Sequence, residues 1–207
     1  IVAPSMSGAL WRERSDASAH ALYTSVETTP KVMQSHVDIT YGGSSKRGQT
    51  DGWLMVKLAA DKKQGDLAML LKSRADPNIV MSVEWREFPT SPLFEASVSG
   101  HTRIARMLLN AGALINQRVG PGYTALYNAA FNGHADTVKL LTEHGADVNA
   151  ISDEHFSPLY IACQEGHTEC VKSLLHARAD PDHARPDEGA TALYIASQNG
   201  REACVEC

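Results

Sequence analysis

The sequence has no long apolar run, and its mean hydropathy of −0.25 argues against a membrane-spanning helix. It has no excess of positive charge either: 19 Lys and Arg face 24 Asp and Glu, for a net charge of −5. A pI near 6.0 gives no electrostatic reason to expect nucleic acid or an anionic membrane as partner. Cysteine is scarce, and Cys163, Cys170, Cys204 and Cys207 all lie in the last quarter, inside helical patterns. A disulfide-stapled secreted domain is not laid out that way, so a reducing compartment inside the cell is expected, cytoplasmic or nuclear. No basic start followed by a sustained apolar stretch marks a signal peptide. A phosphate-cradling Gly loop, GxSxG and HExxH are all missing, so no catalytic residue, cofactor or small-molecule substrate is expected.

What is present is repetition. The segments SPLFEASVSGH, TALYNAAFNGH, SPLYIACQEGH and TALYIASQNGR begin at Ser91, Thr124, Ser157 and Thr191. Gly100, Gly133, Gly166 and Gly200 follow in the same register. Each unit reads as a helix hairpin. Ser or Thr caps the first helix, Pro92 and Pro158 occupy its first turn, and Gly reverses the chain. A second helix then carries paired leucines, Leu108/Leu109, Leu140/Leu141 and Leu174/Leu175, as a packed seam. AGALIN, HGADVN and ARADPD follow, with Gly112 and Gly145 suited to a left-handed cap and Arg178 expected to be strained or to change the cap.

This pattern resembles the ankyrin repeat family. The resemblance implies an all-α solenoid of stacked helix-turn-helix units with hairpin fingers over residues 51–207. Repeats are expected at about 51–80, 90–119, 123–152, 156–185 and 190–207, the last cut short. The first, opening at Asp51-Gly52-Trp53, is degenerate, with a first helix of about two residues and a correspondingly short second helix, as an atypical terminal repeat allows. Residues 1–50, rich in Ser, Thr and Gly, read as linker or disorder, with a short amphipathic helix at Ala9–Tyr23 bearing Leu10, Trp11, Leu22 and Tyr23. Ile1 at the start and a helical pattern running into Cys207 lead us to expect a piece of a longer chain.

The chain departs from the family pattern in one regular way, since Phe94, Tyr127, Tyr160 and Tyr194 stand where the family has His. Packing between repeats is the expected role of this aromatic ladder. Cys163, His167 and Cys170 have metal-ligand spacing, and Cys204 with Cys207 forms CxxC. Their repeat register argues against zinc. His101, His134 and His167 share the slot after the turn Gly, read as packing or capping at the second helix, while Cys163 shares its slot with Ser97, Ala130 and Ser197. Asn149, in LTEHGADVN, resembles the sites that asparaginyl hydroxylases accept in such repeats, and Asn116 less so. Both are first read as turn residues bonding their own backbone.

The resemblance implies a non-catalytic scaffold that binds a partner protein on its concave face. Mapped onto this sequence, that face comprises Val98/Ser99, Phe131/Asn132, Gln164/Glu165 and Gln198/Asn199 on the helices. On the fingers it comprises Arg118, Pro121, Tyr123, Ile151, Asp153, Glu154 and Phe156. The finger NIVMSVEWREFPTSP is about five residues longer than its neighbours, and Trp85 and Phe88 at its tip are expected either to fold back on the adjacent hairpin or to join Tyr123 and Phe131 in one apolar recognition strip. An alternative is the targeting segment of a larger enzyme, such as a ubiquitin ligase receptor or a kinase. SPLYIACQEGHTECVKSLL is similar to repeats in ankyrin proteins that end in a ligase-recruiting box. A purely mechanical spacer is a third reading.

Overall fold

A computed structural model describes residues 46–187 and 189–207. The proposed helix at Ala9–Tyr23, and residues 1–45 of the expected linker, lie outside the described residues. Among the described residues ten helices follow one another in hairpin pairs: α1 Lys46–Ala60 and α2 Gln64–Lys72; α3 Pro92–Val98 and α4 Thr102–Asn110; α5 Ala125–Phe131 and α6 Ala135–Glu143; α7 Pro158–Glu165 and α8 Thr168–His176; α9 Ala192–Gln198 and α10 Glu202–Val205. The first helices of successive pairs pack against one another in one row and the second helices in another. Among the described residues the only extended pairings are two isolated bridges, Met81 with Thr90 and Val119 with Tyr123, each closing a finger.

The caps follow from the sequence. The backbone N–H of Phe94, Tyr127, Tyr160 and Tyr194 donates to Oγ or Oγ1 of Ser91, Thr124, Ser157 and Thr191, satisfying a donor that the first turn leaves orphaned. Two or three residues past each first helix, the N–H of His101, His134 and His167 reaches back to Ala96, Ala129 and Ala162 at 2.8, 2.9 and 2.9 Å, which closes the turn. The glycine between, at φ 73° in Gly133, takes a left-handed conformation that costs any other residue about 1–2 kcal/mol.

Two expectations need correction. The first helix of the opening repeat is 15 residues long, and its partner has 9, like α4, α6 and α8. Helix α1 begins at Lys46, five residues before the expected boundary, because nothing from Lys46 to Thr50 breaks a helix as proline would. The Arg178 cap, by contrast, is unchanged. Arg178 sits at φ 65°, yet its N–H still donates to Leu175 and that of Ala179 to Leu174, as Gly112 and Ala113 do to Leu109 and Leu108. The strain is therefore local, and Arg74 carries the same strain at φ 64°.

One continuous core runs from Met55 to Cys204. Of the paired leucines, Leu108, Leu140, Leu141 and Leu174 are fully enclosed, and Leu109 and Leu175 pack against them from the edge. Phe94, Tyr127 and Tyr160 are buried, which agrees with packing between repeats, whereas Tyr194 in the last pair is 55% exposed. A second, smaller cluster of Phe94, Val98 and Val119, with Phe88 and Tyr123 at its edge, lies under the first two fingers.

Candidate partner-binding face

The repeats are joined by the same two hydrogen bonds over and over, and neither was read correctly from the sequence. His101, His134 and His167 make no cap with their own second helices. Their Nε2 atoms instead donate to the carbonyls of Ala60, Val98 and Phe131 at 3.0, 2.9 and 3.0 Å, each at the end of the preceding repeat's first helix. A helix terminus leaves such carbonyls without partners, so the imidazole acts as a cap in trans. Arg201 takes over the role toward Gln164 in the last pair.

In the fingers, Asp76, Asp147 and Asp180 form the local turn by accepting from the N–H two residues on. The asparagines are thereby free to bridge. Asn78, Asn116 and Asn149 accept through Oδ1 from the N–H of Leu114, Asp147 and Asp180 in the next repeat. Asn149 is exposed, but its amide oxygen serves its neighbour, not its own turn.

These links and the leucine seam leave the finger side as the surface that differs from unit to unit. There the expected strip is divided. Phe88 meets Phe94 and Tyr123 edge-on, each at 6.0 Å between ring centres, and Tyr123 stacks on Tyr127 at 4.7 Å and 11°. Trp85 instead folds onto Trp53 at 6.3 Å and lies under Lys57, while Phe131 packs against the main core. Trp85, Phe88, Tyr123 and Phe131 are each half-buried.

Two residues expected on the face are not available to a partner. Val98 is 3% exposed because the fingers close over it with Phe94 and Val119. Phe156, also 3% exposed, lies under the Arg185 guanidinium at 4.5 Å. The polar members fare differently. Arg118 donates to the Ile151 carbonyl at 2.8 Å and to Asp153 at 2.7 Å, tying two fingers together, and Asp153 N–H donates to the Pro121 carbonyl. Tyr123 Oη donates to Glu154 at 3.2 Å. Burial first, then the Glu154 and Asp153 charges, push the Tyr123 hydroxyl up to about 12. Asn132 bonds back to the Asn128 carbonyl, Gln164 donates to Glu165, and Asn199 donates to the Gln164 carbonyl. Ser99 is half-buried and Gln198 is exposed.

Sequence reading missed a buried ion pair beneath the long finger. Glu95, 2% exposed, receives two N–H donors from Arg86 at 2.8 and 3.1 Å and the Thr90 hydroxyl at 2.8 Å. An acidic residue in a first helix beside an Arg-bearing insertion was the available signal. Arg185 had no such signal, since the residue one period before it is Ser152. As for metal, no group of three or more His, Cys, Asp or Glu among the described residues is arranged to hold an ion. Burial pushes the Cys163 thiol up to about 12 and that of Cys170 to about 11, with the Cys204 and Cys207 thiols adding to the first and Glu169 and Cys204 to the second. These are neutral packing groups.

Stacked helix hairpins with projecting fingers define a repeat solenoid, a class that typically serves as a non-catalytic interaction module. The family model for ankyrin repeats (3 copies) matches residues 54–152 and again 150–207, and the chain belongs to the ankyrin repeat family. Such repeats generally mediate protein–protein interaction. No curated protein matches the chain. No described helix is long and apolar enough to cross a membrane.

Proposed function

We propose that this chain is a non-catalytic scaffold that holds a partner protein on its finger side, with Phe88 and Tyr123 as the apolar contact. Arg118, Asp153, Glu154, Gln164, Glu165 and Gln198 form the polar rim. One observation carries the reading: two aromatic rings remain half-buried there, in contact with each other at 6.0 Å, after the repeats have packed. Aromatic side chains surrounded by polar groups are the usual anchors of protein interfaces. The supported setting is inside a cell, where thiols such as those of Cys163, Cys170, Cys204 and Cys207 stay reduced.

The test is site-specific photo-crosslinking in cells. A photoreactive residue at position 118, on the fingers, is expected to capture a defined protein that the same residue at Lys139, exposed on α6, does not. Capture only from position 139 would overturn the proposed face.

A further inference from the structure

Aromatic groups on the finger side come with cations. Lys57 Nζ lies 5.0 Å from the centre of the Trp85 ring, and the Arg86 guanidinium 5.7 Å from that of Phe94. Arg185 stands 4.5 Å over Phe156 and 6.0 Å from Tyr160. The Phe156 and Tyr160 rings form a pair with centres 5.3 Å apart, and the arginine that covers them comes from the finger at the end of the same repeat.

One repeat earlier, Tyr123 and Tyr127 occupy the same two slots. Their rings are closer, 4.7 Å apart and nearly parallel. Among the described residues no Lys or Arg lies over either ring. Where the next repeat supplies Arg185, the finger here supplies acid. Tyr123 Oη donates to Glu154 at 3.2 Å, and Glu154 and Glu165 both act on the Tyr127 hydroxyl, whose ionisation burial already opposes. Arg118 is turned away toward Asp153 and the Ile151 carbonyl. Tyr127 is buried beneath, so the half-buried Tyr123 ring and the Glu154 carboxylate are what a visitor meets.

We infer that the Tyr123–Tyr127 pair, with Glu154 beside it, receives an arginine side chain of the partner, in the position that Arg185 fills on the next repeat. The ring quadrupole attracts the cation. A planar guanidinium stacks on an aromatic face while directing N–H groups at a carboxylate, which a compact ammonium does less well. The partner segment is therefore basic, in keeping with the carboxylates around it. This inference rests on the finger-side reading above.

The experiment titrates the full chain with a pool of short peptides of random sequence around a fixed central arginine. A second pool carries uncharged citrulline there, and binding is read from backbone amide shifts. The arginine pool is expected to move the signals of Tyr123, Tyr127 and Glu154, and to bind about threefold more tightly than the citrulline pool, the scale of one exposed cation–π contact. Glu154→Gln, a change at an exposed side chain, is expected to remove most of that difference and its salt dependence. Equal binding of the two pools, or no movement at those residues, would overturn the inference. So would a cross-linked partner whose binding ignores both Glu154→Gln and salt, and that outcome leaves the finger face standing as a binding surface. Capture from the α6 side alone overturns both readings.

Discussion

On the helix side, the link between neighbouring repeats is nearly the same each time: His101 to Ala60, His134 to Val98 and His167 to Phe131, within 0.1 Å of one another in length. On the finger side the asparagine bridge recurs too, but the rings and charges around it differ from unit to unit. The first finger hides an Arg86–Glu95 pair, the second stacks two tyrosines, and the fourth lays Arg185 over the rings of Phe156 and Tyr160. Where every unit must meet the next, the chemistry repeats. Where it meets nothing of its own, the chemistry varies, and variation of that kind is what specific recognition needs.

The contrast can be broken most strongly from the helix side. Leu141→Ala empties a fully enclosed site and is expected to cost about 2–5 kcal/mol, seen as a fall in the urea midpoint by circular dichroism. Gly133→Ala comes next. A Cβ there would sit 2.7 Å from the His167 ring as well as forcing a left-handed alanine, so a loss of at least about 1–2 kcal/mol is expected. The same midpoint measurement checks it, and an unchanged value would separate the turn from the imidazole link. On the finger side, Asn149→Ala removes the bridge to Asp180. It is expected to cost only about 0.5–1.5 kcal/mol, with amide exchange at Asp180 speeding up while the leucine seam stays protected.

The smallest effect separates the histidines by pH. Burial, with help from Lys62 and His134, holds His101 below its ordinary 6.5, against the opposing bond to Ala60 and the charge of Asp61. As pH falls through 6.5 the unfolded chain takes up the proton first. The contribution of neutral His101 is therefore complete at neutral pH and is lost progressively between 6.5 and the lowered folded value. Thermal melts from pH 7 to pH 5 are expected to show a decline that His101→Asn flattens.

Much of the helix side was legible in the sequence. Ser and Thr at the caps, glycine at the turn and paired leucines recur in register, and each acts within a few residues of itself. The histidine and asparagine links were not legible, because a period places a residue within its unit and says nothing about which unit it bonds. Val98 and Phe156 were misread as open for the same reason. Their covers, Val119 and Arg185, lie in fingers well along the chain, and a period does not say onto which residues a finger closes. The opening helix was underestimated because its turn residue is Lys62, at φ 60°, in a place where the other units show glycine.

The reach of each histidine into the preceding unit has a consequence for how such a chain changes length. Since donor and acceptor occupy the same two slots of neighbouring units each time, excising residues 101–133 would set His134 against the Ala60 carbonyl, and no polar group of the histidine series would be orphaned. A deletion that is not a whole number of periods would strand one donor and one acceptor at the scar. Segments of one whole period can therefore be lost or copied with the histidine series intact, wherever the cut falls.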